Sequence, residues 1–406
     1  MIITKNPQKI ELTNDQQQAL LKLKSFVIGK NHFLKLSGYA GTGKSTLICF
    51  LMEWLESEGI KFVGASPTNK AAKNLRKLAE KQRIEVEVKT VAQLLGQQPE
   101  VDEETGEEKF VAGNGKAQFD RYEVIIIDEY SMINKENFSE IVNEATEAGV
   151  QVLFLGDNKQ LPPVKEKEPI VASSEIIEEE ATLSKIVRYD GEIVHVAEEI
   201  RSNPRYNSSI YPFKTTSDRT IVSLSRREWL KSAKEHFCSA EYQNNPDYVR
   251  LLVWRNQTAN DANNFIRRCL WGKDISMYPV EGDRLIARKP VFRTKPGGKG
   301  KNKWRIVLNN SEECTVIDSV QQKYLIIQKQ GYEYYSVPVM TEMGVEQTLS
   351  WLTDESARIR TEKVKESARK KQWSLYFDLA RTFDDVTYSY ALTTHKAQGS
   401  SIDHVF

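Results

Sequence analysis

A glycine-rich segment near the start of the chain is the first place where the sequence predicts chemistry. GYAGTGKS, at 38–45, has the spacing G-x-x-x-x-G-K-[ST] and lies between an apolar run and a segment with helical spacing. The N–H groups of such a turn and the helix N-terminus bind phosphates. Lys44 is expected to reach the outer phosphates and Ser45 to ligate Mg²⁺. The other loop residues expected at the nucleotide are Gly38, Gly41, Thr42, Gly43 and Thr46.

A pair of acids after a buried strand supplies the matching half of the site. IIIDEYSM, at 125–132, places Asp128 and Glu129 directly after three isoleucines. An isolated acid pair is usually a solvated strand end, but after a phosphate loop Asp128 is expected to hold Mg²⁺. Glu129 can then act as general base toward water. The sequence therefore predicts an Mg²⁺-dependent nucleoside triphosphatase.

Polar residues after two further strands extend this edge of the predicted sheet. GDNKQLPPV, at 156–164, puts Gln160 where a side chain can contact the γ-phosphate. ASPTNKAAKNL, at 65–75, places Thr68 and Asn69 at a strand end and helix start, which suits a larger polyanion.

The elements that must position these residues alternate between strand and helix in the first third of the chain. HFLKLSG, KFVGASPT, YEVIIIDEY and QVLFLGD have the apolar runs of strands buried in a parallel sheet. The fold class predicted is α/β, a doubly wound core, with a β-hairpin inserted at 97–117. Residues 1–164 are assigned to the first domain.

A second α/β region is predicted at 165–282 and 385–406. Between these parts, residues 283–384 change to short strands and then a charged helix, which indicates an inserted small β-barrel with a helical arm. VRLLVWRNQTANDANNFIRR, at 249–268, repeats the strand, loop and helix pattern of the first region.

The bulk properties of the chain are those of a multidomain globular protein. It has 406 residues, 40% of them hydrophobic and 28% charged, and a net charge of +1. No apolar run is long enough to span a bilayer, so no membrane association is expected. The four cysteines form no CxxC pair, which favours a reducing cytoplasm over a disulfide framework.

The even net charge conceals two charged stretches. EVDEETGEE, at 100–108, carries six acids, and FRTKPGGKGKNKWR, at 292–305, carries six bases. Each is either a solvated loop or, for the basic stretch, part of a nucleic-acid track.

Eight segments in order along the chain resemble those of superfamily 1 helicases in the 5′-to-3′ RecD/Pif-like branch. They are LTNDQQQAL, GYAGTGKST, ASPTNKAAK, TVAQLLG, IIIDEYSM, GDNKQLPPV, LSKIVRYDGEIVHVAEEIR and TTHKAQGSS. The pairing of GDxxQLPPV with THKAQGS is more specific than a phosphate loop alone. The resemblance implies two RecA-like motor domains, an inserted pin hairpin in the first, and an SH3-like barrel with a helical arm in the second.

The resemblance also assigns roles to single residues. It implies that Gln16 reads adenine, that Gln160 senses the γ-phosphate, and that Arg188 neutralises transition-state charge. The motif around Arg188 is loosely defined, so the alternative interpretation of this residue is an ordinary surface arginine. Ala92 stands where relatives often carry histidine, so one DNA contact is expected to be missing while Thr90 keeps its own.

The remaining DNA contacts implied by the resemblance lie in both halves of the chain. Thr68, Asn69, Thr90, Asn256, Thr394 and His395 match backbone-contacting positions, and Phe110 is the candidate for the fork wedge. Trp254 is either a stacking platform or a core residue. Lys299, Lys301, Lys303 and Trp304 belong either to the DNA track or to a solvated loop.

The function implied is an ATP-dependent DNA helicase, moving 5′-to-3′ on single-stranded DNA and unwinding forks in replication, recombination or repair. A monomer in a bacterial or phage-infected cytoplasm, with a single-strand-binding protein as partner, is the expected setting. IDHVF, at 402–406, resembles the opening of a core strand, and relatives continue into a helix with a γ-phosphate arginine. We therefore expect a truncated sequence, and the alternative function is an ATP-gated DNA-binding module without translocation. A small-molecule kinase would leave GDNKQLPPV unexplained.

Overall fold

The structure, a computed structural model, describes most of the chain and divides it into two compact units. The described residues are 11–39, 41–101, 108–112, 117–163, 166–185, 192–203, 221–273, 275, 279–294, 304–320, 324–329, 332–338, 371–373, 384–400 and 402–406. The first unit is formed by Met1–Gln98 with Phe110–Ser223, and the second by Pro99–Lys109 with Leu224–Phe406.

A six-stranded sheet forms the centre of the first unit. Its order is β3-β2-β6-β7-β1-β8, and the paired strands run parallel. The strands are β1 (Phe33–Gly38), β2 (Phe62–Ser66), β3 (Glu87–Thr90), β6 (Val124–Ile127), β7 (Gln151–Gly156) and β8 (Glu179–Leu183). All four residues of β6 are buried, as expected of a strand covered on both faces. The predicted doubly wound α/β core is confirmed.

The helices of the first unit begin at residues that cap them. Thr13, Thr68 and Asn134 each accept an N–H bond from the first turn of the helix that follows. The helices are α1 (Asn14–Ile28), α2 (Lys44–Ser57), α3 (Asn69–Gln82), α4 (Val91–Leu94), α5 (Lys135–Ala148), α6 (Ile170–Ser173) and α7 (Glu192–Ser202). Single 3₁₀ turns lie at Phe119–Arg121 and Tyr130–Met132.

The core of the first unit lies in two layers, one on each face of the sheet. Leu34, Leu36, Ile126 and Leu153 pack with the apolar side of α2 in one layer. The other layer is formed by the alternate residues of the strands, such as Ile125 and Phe154. The alternation follows from the two-residue repeat of a strand, and it holds the carboxyl ends of the strands at one edge.

A two-stranded sheet is found where the sequence predicts a hairpin. It pairs β4 (Gln97–Val101) with β5 (Glu108–Ala112). Gln97 Nε2 donates to Asn137 Oδ1 at 3.0 Å and to Glu140 Oε2 at 2.7 Å, which anchors the first strand on α5.

A three-stranded parallel sheet carries the motif segments of the second unit. Its order is β17-β9-β18, with β9 (Val249–Val253), β17 (Ala391–Thr393) and β18 (His404–Val405). The side chains of β18 are exposed, so the predicted strand forms but lies at the edge of the sheet. The accompanying helices are α8 (Arg226–Phe237), α9 (Ala240–Asn244), α10 (Asn256–Trp271) and α11 (Thr394–Ala397).

Antiparallel strands occupy the region predicted as an inserted barrel. One sheet has the order β15-β14-β13-β10-β16, and a second pairs β11 with β12. The strands are β10 (Arg284–Ala287), β11 (Val291–Thr294), β12 (Trp304–Leu308), β13 (Glu313–Val320), β14 (Tyr324–Lys329), β15 (Tyr332–Pro338) and β16 (Val386–Tyr388). Most of the predicted helical arm lies outside the described residues.

Two domain limits differ between the sequence prediction and the structure. β8 lies beyond residue 164 and yet pairs with β1, so the first unit continues past the predicted limit. β16 lies beyond residue 384 and pairs with β10, so the antiparallel sheet takes a strand from the segment assigned to the second motor domain. In both cases the backbone hydrogen bonds of an edge strand decide membership, and a sequence pattern does not show which edge a short strand will join.

Candidate nucleotide and nucleic-acid sites

The phosphate loop joins β1 to α2 and takes its shape from two left-handed glycines. Gly41 and Gly43 both have φ of 83°, a conformation that other residues seldom adopt, and Gly43 is the residue before α2. Thr42 between them is buried, and its hydroxyl donates to the carbonyl of Tyr39 at 2.9 Å. Ser45 is exposed in the first turn of the helix. The loop therefore presents backbone N–H groups and Ser45 at a helix N-terminus.

The Lys44 side chain folds back over the loop. Its ammonium donates to the carbonyls of Gly38 at 2.5 Å and Tyr39 at 3.0 Å. Burial lowers the pKa of Lys44, and the nearby carboxylates Asp157, Glu129 and Asp128 act in the opposite direction. The groups that the Lys44 ammonium contacts are backbone carbonyls, which a bound anion can replace.

Asp128 and Glu129 follow β6 at the same edge of the sheet. Glu129 has φ of 61°, an uncommon left-handed conformation for a residue with a side chain, and its N–H donates to Asp128 Oδ1 at 2.9 Å. Burial raises the pKa of Asp128. Burial, and then the adjacent Asp128, raises the pKa of Glu129 to about 7. A carboxylate with a pKa near neutrality suits a general base.

Gln160 is hydrogen-bonded to Ser131, which lies two residues after Glu129 in the chain. The fully buried Ser131 hydroxyl donates to Gln160 Oε1 at 3.2 Å. β7, which carries GDNKQ, lies between β1 and β6 in the sheet, so the loop after it falls between the phosphate loop and the acids. Gly156 ends β7 against Tyr130, and a Cβ there would lie 2.7 Å from the tyrosine ring. Glycine is needed at this position because the ring has no room to move aside in the core.

A cluster of Arg201, Asp157 and Tyr39 adjoins the loop, and sequence reasoning did not identify it. Arg201 Nη2 lies 2.8 Å from Oδ2 of the buried Asp157, and its guanidinium lies 3.6 Å from the centroid of the Tyr39 ring. Asp157 Oδ1 also accepts the N–H of Lys159 at 2.9 Å. The signal in the sequence was the charge of Asp157 at the end of an apolar strand, which requires a cation from elsewhere.

Gln16 lies beside the phosphate loop and connects it to α1. Its Nε2 donates to the carbonyl of Thr42 at 3.0 Å, and its Oε1 accepts the N–H of Thr13 at 3.0 Å. The side chain is buried. The structure thus places Gln16 at the loop, while its contact with adenine stays a prediction.

The predicted nucleic-acid residues of the first unit lie at helix starts. Thr68 caps α3 by accepting the N–H of Ala71 at 3.2 Å, and Asn69 is the first residue of that helix. Thr90 is buried and caps α4 by accepting the N–H of Gln93 at 3.2 Å. Capping explains why threonines stand at these positions. Their contacts with DNA stay predictions.

The predicted residues of the second unit form a compact group at the ends of β9 and β17. Trp254 is 70% exposed, so it is not a core residue, and its ring centroid lies 5.7 Å from that of His395. Thr394 Oγ1 donates to the carbonyl of Val253 at 3.5 Å, and the exposed Asn256 is the first residue of α10. The structure therefore brings Trp254, Asn256, Thr394 and His395 together.

Several predicted residues lie outside the part of the chain that the structure describes. They are Arg188, Lys299, Lys301 and Lys303. Phe110 and Trp304 lie in strands β5 and β12, but their side chains are not among those described. Their predicted roles stay predictions.

Comparisons with known proteins agree with this arrangement of motifs. Residues 11–212, about half of the chain, match the family model of an AAA domain. The ATP-dependent DNA helicase dda of Enterobacteria phage T4 is 26% identical over 98% of this chain and 92% of its own length. This chain is a superfamily 1 helicase of the RecD/Pif-like branch. The prediction made from the motifs is confirmed.

Other relatives of this helicase match over shorter stretches or more loosely. The ATP-dependent RecD2 DNA helicase of Deinococcus radiodurans is 31% identical over 34% of the chain and 17% of its own length. Crystal structures of Pif1 from Bacteroides sp and from Candida albicans each align over 98% of the chain, covering 86% and 88% of theirs. Their identities are 17% and 15%, with TM-scores of 0.42 and 0.45. Among the described helices, none is long and apolar enough to cross a membrane.

Proposed function

We propose that this chain is an ATP-dependent DNA helicase that moves 5′-to-3′ along single-stranded DNA and unwinds duplex at forks, in replication, recombination or repair. The observation that carries the proposal is the grouping around the phosphate loop. Asp128, Glu129 and Asp157 lie in electrostatic reach of Lys44, at the one edge of a parallel sheet where the strand ends meet. That grouping suits phosphoanhydride hydrolysis, and the polarity rests on the resemblance to the RecD/Pif-like branch.

The residues of the site fit a nucleoside triphosphate with Mg²⁺. The loop offers N–H donors and the Lys44 ammonium to an anion, while the carboxylate of Asp128 and the hydroxyl of Ser45 are hard oxygen donors that suit Mg²⁺. When bound, ATP and Mg²⁺ supply the bond to be broken and the charge that offsets the phosphates. Gln16 would select adenine from its position at the loop.

The protein's own part in hydrolysis is positioning, charge and proton transfer. Lys44 would exchange the Gly38 and Tyr39 carbonyls for phosphate oxygens. Glu129, with a pKa raised to about 7, accepts the proton of the attacking water. Gln160, which accepts a hydrogen bond from Ser131, would contact the γ-phosphate. Arg188 would add charge neutralisation in the transition state.

The nucleic-acid track would use both units. In the first, Thr68, Asn69 and Thr90 lie at helix starts, where N–H groups and hydroxyls suit backbone phosphates. In the second, the exposed Trp254 beside His395 offers a stacking surface next to Thr394 and Asn256. Base stacking on such a surface contributes about 1–3 kcal/mol per base. Phe110 on the hairpin and the antiparallel sheet of the second unit would act as wedge and wall.

The proposal is tested by measuring ATP hydrolysis with and without single-stranded DNA. Strong stimulation of hydrolysis by DNA is expected. Lys44→Ala should abolish hydrolysis because the loop loses its cation. Displacement of streptavidin from biotin at each DNA end then tests direction. A 5′-to-3′ motor clears the 3′ end, and clearance of the 5′ end alone would refute the polarity.

The alternative is an ATP-gated DNA-binding module without translocation. It predicts DNA-stimulated hydrolysis but no streptavidin displacement from either end. The motor is favoured because the relative that matches 98% of this chain is named as an ATP-dependent DNA helicase.

A further inference from the structure

A polar cavity opens in the second unit beside the start of α10. Its volume is about 110 Å³, and its walls come from α10, from the ends of β16 and β17, from α11 and from Arg288 after β10. Asn256 and Asn260 line one side, and Thr393 and Lys396 line another. The space is large enough for a phosphate group and its water molecules. Amides, hydroxyls and cations of this kind suit an anion.

The charge of the cavity is positive. Lys396 and Arg288 both line it, and each lies in the electrostatic reach of the other. Asp385 accepts a 2.7 Å bond from Arg288 Nε, so one carboxylate offsets two cations. Within the described part of the chain, Lys396 has no ion-pair or hydrogen-bond partner. Burial, followed by the proximity of Arg288, lowers the pKa of Lys396, so an anion in the cavity would relieve an unfavourable charge.

The floor of the cavity is rigid. The buried Asn263 donates to the carbonyls of Tyr388 at 3.0 Å and Ala391 at 3.2 Å, and it accepts the N–H of Ala391 at 2.7 Å. These bonds hold α10, β16 and β17 in fixed register around the opening. Among the described side chains none caps α10, so the N–H groups of its first turn also face outward near Asn256. A rigid positive cavity binds an anion with little loss of side-chain entropy.

The cavity adjoins the aromatic pair of Trp254 and His395. Asn256, which lines the cavity, is two residues from Trp254, and Lys396 directly follows His395. An exposed ring beside an anion site matches the repeating unit of a nucleic-acid strand, in which base and phosphate alternate. Binding of a free inorganic anion would not involve the neighbouring ring.

We propose that this cavity is a phosphate subsite for one backbone phosphate of single-stranded DNA, with Lys396 and Arg288 as its cationic residues. The proposal rests on the proposed DNA-binding function and adds to it two residues and a place. The phosphate enters between Lys396 and the start of α10, while the adjacent base meets the Trp254 ring.

The test compares Lys396→Gln and Arg288→Gln with Lys289→Gln in the full chain. Lys289 is exposed and is not one of the residues lining the cavity, so it loses the same charge next to Arg288. Binding of a labelled oligothymidylate is followed by fluorescence anisotropy over a range of salt concentrations. Removal of one phosphate contact should lower the slope of log K against log salt by about 0.7. Lys396→Gln should also weaken binding roughly tenfold at low salt.

Each outcome decides the proposal. If the unaltered chain binds no oligothymidylate, the proposed function fails and the subsite fails with it. If the unaltered chain binds but Lys396→Gln and Arg288→Gln keep the slope of Lys289→Gln, the subsite is refuted while DNA binding stands. Inorganic phosphate is titrated as a second probe. A loss of phosphate binding without a loss of oligothymidylate binding would assign the cavity to a free anion and overturn the proposal. Arg288→Gln serves where Lys396→Gln fails to fold.

Discussion

Cationic and anionic side chains lie close together around the phosphate loop. Lys44 lies within electrostatic reach of three carboxylates. Arg201 forms an ion pair with the most buried of them, Asp157, and stacks on Tyr39. A buried carboxylate of this kind is stable only with its partner, because the interior does not solvate charge. The energetic consequences can be measured one residue at a time.

Arg201→Met should destabilise the first unit by about 3 kcal/mol, because Asp157 is left charged and buried. The double variant Arg201→Met, Asp157→Asn should recover much of that loss, since the amide carries no charge. Urea unfolding measures both, and Arg121→Met, at an exposed site, is the control. Equal losses in the single and double variants would show that the charge of Asp157 does not matter.

Glu129 should make the metal-free protein less stable as pH rises. Its folded-state pKa of about 7 lies above the ordinary value of 4.5, so the folded chain holds this proton more tightly than the unfolded chain. The stabilisation is present below pH 4.5 and is lost as pH rises through 7. In EDTA, the unaltered chain should lose about 2 kcal/mol relative to Glu129→Gln between pH 5 and 8. If the free energy of unfolding in urea changed with pH in the same way for the unaltered chain and for Glu129→Gln, the raised pKa of Glu129 would be contradicted.

Among the elements, α10 determines where β17 lies and so where the THKAQG segment begins. Its one buried amide, Asn263, bonds to backbone groups on both sides of Tyr390, which is itself fully buried. A second buried group supports the same strand end, as Asp283 accepts bonds from Arg267 Nη2 at 2.8 Å and from the Tyr390 hydroxyl at 2.7 Å. The start of the antiparallel sheet is thereby attached to the sheet that carries the motif.

Asn263→Ala should destabilise the second unit by about 3 kcal/mol, because the carbonyls of Tyr388 and Ala391 and the N–H of Ala391 lose their hydrogen bonds to this amide. Amide hydrogen exchange at Ala391 should speed up in step. Asn264→Ala, on the same helix but exposed, is the matched control and should change stability by less than about 0.5 kcal/mol. Unchanged exchange at Ala391 in Asn263→Ala would show that β17 is held by other contacts.

For the whole molecule, the proposed cycle requires that hydrolysis at the first unit and strand separation be distinct steps. The hairpin of β4 and β5 is anchored on α5 by Gln97. A wedge at this place would act on the duplex without contributing to the phosphate loop.

Phe110→Ala should therefore impair duplex unwinding while leaving DNA-stimulated ATP hydrolysis intact. Loss of one stacked base contact, about 1–3 kcal/mol, predicts at least a fivefold slower unwinding rate. Val111→Ala, a neighbour in β5, is the control. An equal fall in both activities would contradict the wedge assignment.

The sequence alone determined the phosphate loop, the acid pair and the GDNKQ loop. Each of these sites needs residues that are adjacent in the chain, and the types of those residues determine the local backbone conformation. For this reason Gly43 and Asp128 could be identified as site residues from the sequence. Only the tertiary structure decided the pairing of Arg201 with Asp157, which are 44 residues apart, and the membership of β8 in the first sheet. It also decided that Trp254 is exposed and that Lys396 and Arg288 share a cavity. Such contacts depend on how the helices pack and on which sheet edge each strand joins. The packing of the whole core determines both.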